Sequence, residues 1–456
     1  MHGQAPEAPV LGVARSVTGR RWIWRPADPR TGLGIAQRLG VPEMVGRLLA
    51  ARGVGIDLAG DYLEPTLKAL MPNPSSLMDM DLAADRIAAA VRSGEHVAVF
   101  GDYDVDGACS GALMSRFLRD LGCEVTPYVP DRLKEGYGPN AAAIGALCDR
   151  GASLIVCVDC GIAAGEALAA AEGRADVVVL DHHKAEGPLP RILAAVNPNR
   201  LDCGSGLHHV CAAAVAFLAA AATTRVLRRA GWFARRPEPD LLGLLDLVAL
   251  ATVCDVMPLT GFNRALVAQG LKVMGKRGRA GIAALLEVTG ARDAPSAHTL
   301  GFLLGPRINA SGRIGEPDLG LRLLLCEDPV EARAIAEKLD TVNRRRQEVE
   351  GEVLGAAHAM AERQAAEGRA VLLLVGEGWH PGVVGIVAGR MKERFNRPAC
   401  VAGLADGMAK GSGRSVPGGD LGAAGNAALP RAHVRPHIPA PPGFTVPRHA
   451  RPRALT

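Results

Sequence analysis

Three short apolar runs, at 97–100, 154–158 and 177–180, each end within a residue or two of an acidic residue, and this repeat constrains the fold more than any other feature. They read Val-Ala-Val-Phe, Leu-Ile-Val-Cys-Val and Val-Val-Val-Leu, β-branched and without polar alternation. A strand exposed on one face alternates, whereas one covered on both faces does not, so the runs predict buried strands of a parallel sheet. Helical patterning over 81–91, 108–121, 141–150 and 163–172, with an extended stretch at 124–128, supplies the crossovers. This rhythm predicts an α/β fold, a doubly wound and mostly parallel sheet. In such sheets the ligand crevice lies outside the carboxyl ends of the strands. There the chain carries Asp102, Asp104 and Asp106, then Asp159, then Asp181-His182-His183.

Asp102, Asp104 and Asp106 alternate, so an extended loop would point all three the same way, with Gly107 turning the chain into the next helix. Carboxylates packed this closely repel unless a cation neutralises them. Adding Asp159, His182, His183 and Asp255 gives a mixed carboxylate and imidazole set large enough for two ions. It suits Mn²⁺, with Mg²⁺ as the alternative and Zn²⁺ less suited without thiolates. Two such ions activate a water and stabilise the entering and departing oxygens of a phosphoryl displacement, so phosphoester hydrolysis is the expected chemistry. Alone, the aspartate triplet could also be a calcium loop or a solvated turn, the lesser alternative, and Asp-His-His a helix cap. Cys157 and Cys160 lack a second Cys/His pair, and on an extended strand they would face opposite ways, which argues against zinc.

A chain of 456 residues exceeds one ordinary domain, and several cores are expected. A basic, Trp-bearing lead-in subdomain covers 1–75, the catalytic domain 76–328, and a charged connecting helix 329–367. A smaller α/β domain follows over 368–422 and an acid-free Ala/Pro/Arg/His tail, expected to be disordered, over 423–456. The formal charge of +5 says little about partners: five arginines fall in 421–456, and 52 basic residues less these five leaves 47 against 47 acids. The longest apolar run, 210–222, is shorter than the ~20 residues of a membrane span, and no secretory leader is evident, so a cytoplasmic location without membrane contact is expected.

The motifs Phe100-Gly101-Asp102-Tyr103-Asp104-Val105-Asp106-Gly107, Val158-Asp159-Cys160-Gly161 and Asp181-His182-His183 resemble those of the DHH phosphoesterases. Together with 130–138, 246–259 and Gly305-Pro306-Arg307-Ile308-Asn309-Ala310-Ser311-Gly312-Arg313, they resemble most closely the RecJ branch of single-strand-specific 5′→3′ DNA exonucleases. The resemblance implies that Asp104, Asp106, Asp159, His182 and Asp255 hold two Mn²⁺ or Mg²⁺ ions, with Asp102 and His183 in or beside that set. His183 would stabilise the phosphate or the leaving group, with Asp106 and His182 sharing in catalysis. Arg307, Asn309 and Arg313, with Ser311 in the same block, are candidate contacts to the DNA backbone. Tyr137 and Trp379 are candidates for base stacking, although such a residue is more often a packing residue. His380, Gly382 and Arg414 resemble strand-holding positions of the family's smaller domain. Single-stranded DNA is the implied substrate, and a single-strand-binding protein and a RecQ-type helicase are the implied partners in DNA repair and recombination.

That resemblance breaks off after Gly422. The glycine-rich, histidine-bearing segment and the OB-fold usual in the family are not recognisable, so a truncated or frameshifted chain is expected, its metal centre complete and its grip on the strand impaired. Two other readings remain: a DHH phosphodiesterase of cyclic dinucleotides or short oligonucleotides, and a nucleic-acid-binding scaffold with little activity.

Overall fold

The computed structural model describes residues 9–417 apart from 18, 24, 26, 132, 133, 137, 186, 406 and 407, together with the backbone of 443–447. Tyr137 and most of the tail therefore lie outside the described residues. The chain divides into two compact units, one comprising residues up to Met71 with Thr260–Ala265, the other Pro72–Leu259 with Leu266 onward. In the first, helices Pro29–Leu39 and Glu43–Ala51 pack around Ile35, Leu49, Val54 and Ala59. Gly46 allows the close approach, since a Cβ there would lie 2.1 Å from the Gly32 carbonyl oxygen.

The second unit is built on five parallel strands: β1 (His96–Gly101), β2 (Glu124–Tyr128), β3 (Leu154–Val158), β4 (Asp176–Leu180) and β5 (Ala194–Val196). Their order is β2-β1-β3-β4-β5, all pairs parallel. Val97–Phe100, all of β3, and Val177–Leu180 are buried, as unbroken apolar runs require. Helix Ala141–Asp149 and the short turns over Gly165–Ala171 cover one face through Ile144, Leu147 and Leu168. Cys157 and Cys160 belong to that same core, and both are free thiols. Helices Met80–Ser93, Val105–Asp120 and Ala212–Arg229 form a second packed layer.

Helix Pro329–Ala366 runs 38 residues, opened by the Asp328 cap with Pro at the first turn, and leads into a second sheet. That sheet has the order β6-β7-β8-β9, with β6 (Leu372–Glu377) parallel to β7 (Ala399–Ala405), and β8 (Met408–Arg414) and β9 (Gly443–Pro447) antiparallel. Helix Pro381–Phe395 packs on it through Val383, Val384, Val387 and Met391. Two expectations change here. The continuous helix read over 163–172 is broken into a four-residue α turn and a 3₁₀ turn. The acid-free tail, expected to lack structure, contributes β9: its residues 443–447 satisfy an edge that β8 would otherwise leave open.

Candidate metal centre

Register assembles the site. Gly101 pairs with Val158, and Val158 with Leu180, so the residues that follow them, Asp102, Asp159 and Asp181, line one rim of the sheet. The rim straddles the β1–β3 junction, where the strand order reverses and open α/β sheets bind ligands.

The acid loop is not the extended segment that alternation suggested. Asp104 is the N-cap of helix Val105–Asp120, its Oδ1 accepting from Gly107 N at 3.0 Å, and Asp106 already lies in the first helical turn. Gly107 serves close approach, since a Cβ there would lie 2.3 Å from the Asp102 carbonyl oxygen. The buried Asp106 carboxylate accepts from Ala212 N (2.7 Å) and Ala213 N (2.9 Å), the amino end of helix Ala212–Arg229, which favours negative charge. Asp159, the residue after β3, has φ of +59°, in the left-handed region that aspartate enters more readily than most residues with a Cβ. Asp255 follows the last turn of helix Leu245–Cys254, the end that disfavours a carboxylate.

These side chains converge. Asp102, Asp104 and Asp159 offer ligand atoms within 4.8 Å of one another, as do Asp106, His182 and Asp255, and Asp159, His182 and His183. Asp159 and His182 belong to two groups each, the arrangement of a shared ligand between neighbouring cation sites. His182 Nε2 lies 3.3 Å from Asp159 Oδ1, 3.5 Å from Asp255 Oδ2 and 3.6 Å from Asp106 Oδ2, with no aligned hydrogen bond among them.

Both oxygens of Asp159 and Oδ2 of Asp255 are buried without a hydrogen-bond partner. Burial, reinforced by Asp106, Asp104 and Asp102, raises the Asp159 pKa well above the carboxylate range. Burial and the charges of Asp106 and Asp104 push Asp255 up to about 8. Burial raises Asp106 as well, against the pull of His182. Orphaned oxygens that repel one another at a sheet rim are the donor set a hard divalent cation takes, so the residues fit one.

Asp181, quoted in the motif but not counted among the site residues, organises the next turn. It accepts from Ile162 N, His182 N, His183 N and His183 Nδ1, the last at 2.8 Å. Although burial raises its pKa, the bond to His183 and that ring's charge bring Asp181 down to about 2. Burial likewise lowers His183, but Asp181 overrides it and holds the ring at about 9. Asn199 Nδ2 donates to the His182 carbonyl, and Asn197 Nδ2 to that of His183 at 2.8 Å, clamping the pair from behind. Spacing offers no signal for these asparagines.

The arginine block is engaged internally. Arg307 pairs with Asp340 at 2.9 Å and donates to the Leu303 carbonyl. Ser311 is buried, its hydroxyl donating to Ile308 O at 2.7 Å, and Asn309 Oδ1 accepts from Val105 N. The expectation that these three face the DNA backbone therefore meets side chains already used to hold the fold. Arg313 donates to the Gly382 carbonyl at 3.2 Å, and Gly382 N to His380 Nδ1 at 3.1 Å, so these residues join helices Gly305–Ile314 and Pro381–Phe395. Arg414 donates to Ser412 Oγ at 2.7 Å. Trp379 packs on Gly376, whose Cβ would lie 2.1 Å from its ring, which makes it a packing residue. A cavity of about 1240 Å³ opens beside His183, bounded by Gly138, Glu166, Lys184 and Arg191.

Residues 96–252 match the family described as DHH family, N-terminal domain. The single-stranded-DNA-specific exonuclease RecJ of Salmonella typhimurium is 41% identical over 389 residues, 83% of this chain and 67% of that protein. The Bacillus subtilis protein of the same name is 37% identical over 406 residues, 88% of this chain and 50% of that protein. The crystal structure of RecJ in complex with Mn²⁺ from Thermus thermophilus superposes with a TM-score of 0.79 at 30% identity, covering 94% of this chain and 60% of that one. The chain thus spans half to two thirds of the length of these relatives.

Proposed function

The chain belongs to the RecJ family of single-stranded-DNA-specific exonucleases, and we propose that it hydrolyses single-stranded DNA from the 5′ end with Mn²⁺ or Mg²⁺. The observation that carries this reading is the buried carboxylate of Asp159, which has no hydrogen-bond partner and is common to two groups of convergent ligands. Asp102, Asp104 and Asp159 would hold one cation and Asp106, His182 and Asp255 the other, with Asp159, whose Oδ1 lies 3.3 Å from His182 Nε2, shared between them. Bound there, the pair supplies an activated water and charge neutralisation at the phosphate.

The chain's own residues do the rest. Asp181 fixes the His183 ring through Nδ1, so that its other nitrogen can donate a proton to the phosphate or to the departing 3′ oxygen. The amino end of helix Ala212–Arg229 holds Asp106 in one orientation. The cavity beside His183 has room for a nucleotide. Among the described residues no helix is long and apolar enough to cross a membrane. A cytoplasmic location, where the DNA is, belongs to the same proposal. A single-strand-binding protein and a RecQ-type helicase, which expose and present single strands, are the partners such an activity calls for.

The test compares 5′-phosphorylated single-stranded DNA, the matching duplex and a cyclic dinucleotide with Mn²⁺ or Mg²⁺. Stepwise release of mononucleotides from the single strand alone is expected. Rapid cleavage of the dinucleotide with the strand left intact would overturn the assignment.

A further inference from the structure

The peptide between Asp104 and Asp106 is held from far away in the chain. Val105 N, at the first helical position and without an intrahelical acceptor, donates to Asn309 Oδ1 at 3.2 Å across 204 residues. One turn further along helix Gly305–Ile314, Gly312 seats Tyr103: a Cβ there would lie 2.4 Å from the Tyr103 ring. A single helix therefore grips the residues on both sides of Asp104. Asp104 groups with Asp102 and Asp159, Asp106 with His182 and Asp255, so the peptide that Asn309 holds joins the two cation groups.

We propose that Asn309 is a positioning residue that sets the spacing of the two cation sites through the Val105 peptide, in place of the DNA-backbone contact its motif suggested. Resting on the two-cation reading of the centre, it assigns the side-chain oxygen of Asn309 a structural task that an amide nitrogen facing phosphate would not need. Asn309→Asp keeps the acceptor for Val105 N and removes the amide donor, so the two roles predict opposite outcomes for that variant.

The experiment uses the full chain and its Asn309→Ala and Asn309→Asp variants. Mn²⁺ uptake is followed by calorimetry, the coupling between bound Mn²⁺ ions by electron paramagnetic resonance, and binding of a 5′-phosphorylated oligothymidylate in metal-free buffer over a salt series. Asn309→Ala is expected to weaken Mn²⁺ binding by about 10–100-fold, the loss typical of residues that orient ligands, and to alter the Mn–Mn coupling. Metal-free strand binding and its salt slope should stay within about twofold of the parent, because no phosphate contact is lost. Asn309→Asp should restore the parent spectrum, and it alone decides the matter if the alanine variant does not fold. Unchanged Mn²⁺ binding and spectrum in Asn309→Ala, with weaker strand binding and a salt slope reduced by about one, would overturn the proposal in favour of the phosphate contact. An Asn309→Asp protein no better than Asn309→Ala in Mn²⁺ uptake would overturn it too. Failure of the parent chain to bind two Mn²⁺ would instead refute the two-cation reading beneath it.

Discussion

Buried carboxylates occur in two settings in the larger unit, and they are treated in opposite ways. On the long helix Pro329–Ala366, Glu350 is 2% exposed and Asp340 5% exposed, and each is flanked by two guanidinium groups: Arg346 and Arg390 for Glu350, Arg307 and Arg344 for Asp340. At the sheet rim Asp159 is 1% exposed and has no hydrogen-bond partner. Burial of a charge costs several kcal/mol unless a partner compensates; Glu350 Oε1 also lacks an aligned hydrogen bond, but two guanidinium charges flank each carboxylate of the first set and, among the described residues, none flanks Asp159. The orphaned oxygens of Asp159 and Asp255 at the rim thus suit a cation, and the helix acids join elements.

The contrast breaks most visibly on substitution. Asp159→Ala should reduce hydrolysis of single-stranded DNA by more than the about 100-fold that loss of a residue behind the ligands costs, because the shared ligand goes. Residual activity within tenfold of the parent, in a mononucleotide-release assay, would contradict the placement of Asp159. Glu350→Ala should instead cost stability, toward the low end of about 3–5 kcal/mol because Arg390 reaches solvent, while Mn²⁺ uptake stays intact. Chemical denaturation with parallel calorimetry separates the two effects.

A subtler difference lies in pH and metal. Asp255 is held at about 8 in the fold against about 4 in an unfolded chain, so the folded state binds a proton more tightly. A raised carboxylate pKa makes metal-free stability fall as pH rises from about 4 to about 8. The metal-free melting temperature should therefore be lower at pH 8 than at pH 5.5, and Mn²⁺ should shrink that gap. By the same logic Asp159→Asn should raise the melting temperature of the metal-free protein while destroying activity. The smallest effect belongs to the exposed pair Arg345–Glu348, where Arg345→Ala should change stability by less than about 1 kcal/mol.

Much of this was legible in the sequence, since short, unbroken runs rich in β-branched residues favour strands covered on both faces, and the acids after them fall at one rim. The smaller domain's first strand and the connecting helix were legible for the same reason of periodicity. Alternation misled at Asp102, Asp104 and Asp106, because an N-cap aspartate puts Asp106 on a helix and the acids converge through a change of backbone. At Arg307 the motif shows which donors are present but not that Asp340, 33 residues on, already accepts from the guanidinium. Asp181, Asn197 and Asn199 act on histidine backbone and ring atoms, contacts that depend on register and leave no trace in spacing. β9 hid in a segment whose composition lacks the β-branched runs that mark the other strands, since an edge strand needs only backbone hydrogen bonds.

The central claim is that the rim acids form two neighbouring cation sites sharing Asp159, and calorimetric titration of the metal-free chain with Mn²⁺ tests it most directly. Two ions per chain in the parent, falling to one or none in Asp159→Asn with the fold intact by circular dichroism, is the predicted result. A single ion in the parent, or two in the variant, would contradict it.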